Sequence, residues 1–86
     1  MRQERIDEPL SKVYALFEKG RVRPLAMEWS GRHFDVVRIN SNWIDRSANR
    51  PSLTRLFSLT MQNGDIFQVS YTEEPLRWRL DSIVID

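Results

Sequence analysis

The stretch LAMEWSGRHFDV, residues 25 to 36, decides how the chain is read. Taking Ser30 and Gly31 as the two residues of a tight turn sets Trp29 opposite Arg32, Met27 opposite Phe34 and Leu25 opposite Val36. Apolar then meets apolar on one face, while Glu28 meets His33 and Ala26 meets Asp35 on the other. Both arms alternate in step, so the pattern predicts a β-hairpin with Trp29 and Phe34 on its core face.

Working outward, Asn63-Gly64 marks a second turn. A two-residue loop there would oppose Leu59 to Gln68 and mix the faces. A three-residue loop, Gln62 to Gly64 with Gly64 in a left-handed bulge, pairs Leu59 with Phe67 and Phe57 with Val69. The bulged form is therefore predicted, between the alternating runs 53–61 and 66–71. The last run, LRWRLDSIVI, changes parity between Leu80 and Ile83, which implies a bulge or bend near Asp81 and Ser82. Turn signals recur at DEP (7–9), EKG (18–20), SG, NG and TEEP (72–75), the spacing of an all-β domain. The polar stretch at about 42–52 reads as a surface loop.

Residues 8–18 admit two readings. Leu10, Val13, Tyr14 and Phe17 fit helical spacing, with Asp7 as N-cap and Gly20 as stop, whereas Val13, Ala15 and Phe17 alternate as a strand. Periodicity alone leaves both open.

Composition bounds the rest. At 86 residues the chain is one small domain with a stability of a few kcal/mol, whose core leans on three Trp, four Phe and two Tyr. There is no Cys, which rules out disulfides, thiolate nucleophiles and Cys-ligated metals and suits a reducing compartment. No apolar run approaches the ~18 residues of a membrane span, and MRQERIDE lacks the apolar stretch of a signal peptide, so the chain reads as cytoplasmic with no membrane partner. Net charge is only +1, although eleven of the thirteen basic residues are Arg, the side chain that forks onto phosphates and stacks on aromatic rings.

Little of this pattern carries chemistry. Ser30, His33 and Asp35 sketch a hydrolytic triad, but the turn accounts for Ser30, and His33 opposite Glu28 reads as a surface pair. With one His and no Cys, metal ligation would fall to carboxylates without ligand spacing, and the three Gly stand singly in three turns rather than in a phosphate loop. No catalytic residue, metal or cofactor is expected. What remains is an Arg and aromatic surface. Trp78 alternates to the core side with Leu80, opposite Arg77 and Arg79. Trp43, Arg46 and Arg50, with Arg32 beside Trp29, are the candidate binding residues.

The order V-x-A-x-F-x-x-G (13–20), P-L-x-x-x-W-x-G-R-x-aromatic-x-V (24–36), Trp43 and a closing W-x-L (78–80) resembles a family of small uncharacterised bacterial β-rich domains. The W-x-G-R-x-aromatic-x-V and W-x-L pattern is also similar to the tail of some proteins related to Y-family DNA polymerases. The resemblance covers about residues 13–80 and implies a β-rich domain and a strand over 11–17, with no activity attached. Met27, where an aromatic is more usual, and the Arg/Asn-rich insertion at 46–50 depart from it.

The expectation is a mainly β domain, five or six antiparallel strands strongly bent or closed into a small barrel. Its expected role is a non-catalytic binding module. The partner is single-stranded nucleic acid on the Arg/Trp surface or, alternatively, another protein on an exposed strand edge or apolar patch. Oligomeric state is not encoded in these patterns.

Overall fold

In a computed structural model, which describes residues 2–45, 53–73 and 76–85, the chain is all strand and turn. It contains β1 (Arg2–Leu10), β2 (Lys12–Glu18), β3 (Arg21–Trp29), β4 (Arg32–Asp45), β5 (Thr54–Met61), β6 (Ile66–Glu73) and β7 (Leu76–Ile85). They form one antiparallel sheet in the order β1-β7-β6-β5-β4-β3-β2, curled into a half-barrel. No helix among the described residues is long and apolar enough to cross a membrane.

The central hairpin has the predicted register, Met27 opposite Phe34 and Trp29 opposite Arg32. Ser30 and Gly31 both take positive φ, 53° and 74°, the twist that matches right-handed strands. The second hairpin is the bulged one. Gly64 sits at φ 89° and donates to Met61 O at 2.9 Å, Met61 N donates to Asp65 O at 2.8 Å, and Leu59 pairs with Phe67. The skip at Asp81 is also present, since Leu80 pairs with Val69 and Ser82 with Gln68.

Three expectations are corrected. The described residues form seven strands, not five or six, because Arg2–Leu10 forms β1. That segment is exposed on both faces for most of its length and so carries no alternation; main-chain pairing with β7 holds it. Of the two readings left open for residues 8–18, the strand is the one found, over Lys12–Glu18. Asn42–Asp45, assigned to the loop, continue β4; the remainder of that stretch, 46–52, lies outside the described residues. Finally, Leu25 does not face Val36. Tyr14 pairs with Ala26 and Ala15 with Pro24, so Leu25 is the extra residue of a β3 bulge and is turned outward, while Val36 has moved across to Met61.

That last shift bends the sheet. β4 pairs with β3 from Arg32 to Asp35 and with β5 from Val36 onward. The β2–β3 hairpin consequently folds over the concave face of β5 to β7. Phe34 and Trp29 land on Phe67, with ring centres at 5.0 and 6.3 Å, and Met27, Leu59, Val69 and Leu80 are sealed around them. Enclosing large rings lets so short a chain bury enough apolar surface to fold.

Candidate interaction surface

The two outer strands of the sheet are built differently. β1 is rich in charge (Arg2, Glu4, Arg5, Asp7, Glu8), contains Pro9, and breaks register between Arg5 and Glu8. At that break Asp7 adopts φ 57°, and Arg79 Nη2 donates to its backbone oxygen at 2.8 Å and its carboxylate at 2.9 Å. The guanidinium holds the Asp7 carboxyl below the usual carboxylate range, first by hydrogen bonding and then by charge. Charges, a proline and a bulge are the means by which exposed strand edges are kept from pairing with another chain.

β2 lacks the proline and the interior charges. Its sequence is KVYALFE, unbroken apolar residues from Val13 to Phe17 with one charge at each end. The bulge between it and β3 places the extra residue, Leu25, on β3, so β2 itself is regular. Among the described residues it pairs only with β3, and its other edge is unpaired in the sheet.

That edge borders a seam. β1 and β2 are one continuous strand bent at Ser11: the first half runs along β7, the second along β3. Below the bend β2 and β7 part, leaving a cavity of about 650 Å³ between Val13, Ala15 and Phe17 on one side and Leu76, Arg77 and Trp78 on the other. Phe17 meets Tyr71 at 6.0 Å between ring centres, and Trp78 packs on Tyr71 at 4.6 Å, forming an aromatic floor. Phe17 and Leu76 remain 56% and 62% exposed on its rims, far from core-like burial.

On the outer face, polar side chains tie β2, β3 and β4 together. Tyr14 Oη donates to Glu28 Oε2 at 3.2 Å, and Lys12 Nζ lies 3.4 Å from the same oxygen. The Tyr14 side chain and then the Glu28 charge raise the Lys12 pKa. His33 Nε2 lies 2.8 Å from Asp35 Oδ1 and its Nδ1 3.9 Å from Glu28, so both ring nitrogens face carboxylates of its own sheet. Gln62 bridges to this corner by accepting from Asp35 N at 3.1 Å. Among the described residues no group of three or more His, Cys, Asp or Glu side chains could hold a metal ion.

The expected binding residues do not assemble. Trp43 is 47% exposed near the end of β4, opposite Leu56. Arg32 begins the same 14-residue strand, its guanidinium carbon 5.6 Å above the Phe34 ring. Opposite ends of such a strand are some 30–40 Å apart along the backbone at about 3.3 Å per residue, too far for one small site. Arg46 and Arg50 lie outside the described residues. Comparisons with family models, curated proteins and solved structures return no match. The free edge of β2 was not among the predicted residues, because strand order leaves no trace in periodicity. The only signal for it was the unbroken apolar run between Lys12 and Glu18.

Proposed function

We propose that the protein is an interaction module that takes an extended segment of a protein chain along β2. The carrying observation is the asymmetry of the sheet: β1 is bulged, charged and proline-bearing, whereas β2 is regular, apolar and open to a seam. An added strand would satisfy the unpaired backbone groups of β2 and set alternate side chains over Val13, Ala15 and Phe17. Panning a random peptide library against the protein tests this. Enriched extended peptides should bind the wild type and weaken at least roughly tenfold on Ala15→Lys, since an inward-pointing charge blocks an edge. Peptides that bind the variant equally well, or no enrichment at all, would sink the reading.

A second reading rests on a different observation. Arg21 and Arg23 of β3 border one cleft, and Arg23 together with Arg38 of β4 a second beside it, where β4 departs from β3, and none of the three makes an ion pair among the described residues. Arg38 and Trp43 both alternate to the outer side of β4. Such a surface suits the phosphates of a single strand, with Trp43 as a stacking platform. Titration with an oligothymidylate at low and physiological salt tests it: binding should fall with salt and with Arg23→Ala/Arg38→Ala. Absence of binding at low salt would remove it.

A further inference from the structure

We infer that the segment taken up by β2 is the β2 of a second copy, so that two half-barrels join through one continuous sheet about a twofold axis at Ala15. The inference rests on the strand-addition reading and names the partner.

Its basis is the self-complementarity of KVYALFE. An antiparallel pair related by a twofold axis at Ala15 sets Lys12 against Glu18 of the second copy and Glu18 against its Lys12. The two charged ends then form two cross-strand pairs of opposite sign. Between them Val13 meets Phe17 on the inner face, Tyr14 meets Leu16 on the outer face, and the smallest side chain of the strand, Ala15, meets itself on the axis. Every position finds a partner of its own kind, and a slip by one residue would face each side chain with one of opposite orientation.

The surroundings agree with this register. Val13 and Ala15 are half-buried along the seam, and Phe17 remains 56% exposed at the lower rim, where the second copy's Val13 would cover it. On the outer face Tyr14 and Leu16 are 42% and 38% exposed and neighbours in the proposed pairing. Glu18, opposite Arg21 in the β2–β3 ladder, makes no ion pair among the described residues and would meet Lys12 of the other copy on its open side; Lys12, 3.4 Å from Glu28, would sit between two carboxylates. A seven-residue strand pair is a small interface, so association is weak and depends on concentration.

Three measurements on the whole chain test it. In sedimentation equilibrium the weight-average mass should climb from the 10.3 kDa monomer toward twice that value as concentration rises. Glu18→Lys, which sets lysine against lysine, should weaken the dimer roughly tenfold, as should Lys12→Glu. An equimolar mixture of the two should associate again, because one copy then carries only glutamate and the other only lysine at the two ends. That recovery is a readout which misfolding of either variant would not produce. Because the chain has no Cys, Ala15→Cys adds a clean probe of register. Directly opposite residues lie within disulfide reach, so oxidation should crosslink Ala15→Cys, while Val13→Cys, which faces Phe17, should not crosslink. A chain that stays monomeric, or crosslinks equally through both positions, would overturn the twofold pairing. If library peptides still bind wild type and fail on Ala15→Lys, the edge reading survives with a different partner; if neither occurs, both fall.

Discussion

Arg79 reaches from β7 to grip both the backbone oxygen and the carboxylate of Asp7, at 2.8 and 2.9 Å, where β1 bulges with Asp7 at φ 57°. A non-glycine residue in that region costs conformational energy unless its side chain and neighbours hold it there. Asp7 titrates below the usual carboxylate range, so its contribution to folding is fully present above the unfolded value and is lost as pH falls through the lower folded one. Urea midpoints measured from about pH 5 down to pH 2 should therefore decline in the wild type. Arg79→Met should flatten that decline; an unchanged acid slope would show that the pair does not couple to folding.

Phe67 is the residue on which the folded-over hairpin rests, 1% exposed and in ring contact with both Phe34 and Trp29. Phe67→Ala should cost about 3–5 kcal/mol, comparable with the entire stability of a domain this small. Circular dichroism and tryptophan fluorescence at 25 °C should report a largely unfolded chain. A cooperative, near-native melt would mean that the hairpin docks by other contacts.

Gly64→Ala separates backbone from packing. A Cβ at Gly64 would meet nothing within 4 Å, yet φ is 89°. The loss should be the conformational penalty alone, about 1 kcal/mol. A loss above roughly 2 kcal/mol in chemical denaturation would mean that the loop, rather than the single residue, had rearranged.

Burial, and secondarily the Glu73 charge, push the Tyr71 phenol above the usual tyrosine range. The neutral phenol is the form the fold accommodates, so its contribution is complete below the unfolded value and is lost as pH rises toward the higher folded one. Stability should drop from roughly pH 9 upward, and Tyr71→Phe should shrink that alkaline drop while leaving the fold intact. An identical alkaline profile in the variant would assign the effect to other groups.

Both hairpins were legible because each turn requires a glycine at positive φ and because a two-residue and a three-residue loop predict opposite faces for every flanking side chain. The skip at Asp81 was legible for the same reason: alternation of period two makes one extra residue visible. β1 was not, since a strand exposed on both faces has no alternation to show. The outward turn of Leu25 was hidden too. It arises because β3 must satisfy β2 along its whole length and β4 along only part of it, a conflict between three strands that no single hairpin contains. Of the candidate site, the exposure of Trp43 could be anticipated from its polar neighbours. The open edge of β2 could not, because it exists only through the departure of β1 to β7 on the far side of the sheet.

The exchange of partners along β4 divides the molecule in time as well as in space. Among the described residues no strand pairing beyond Ala26 and Asp35 ties the β2–β3 ribbon to the remaining strands, so it is fastened by the short pairing up to Trp29, by the rings of Trp29 and Phe17 and by the buried Met27. β5, β6 and β7, by contrast, are paired on both sides. Amide exchange should therefore run in two tiers, with β2 and β3 opening together before the central strands release. The ribbon that bears the free edge is then also the part of the fold that opens first, and because Met27 and Trp29 travel with it, widening the seam for an incoming strand also uncovers Phe67.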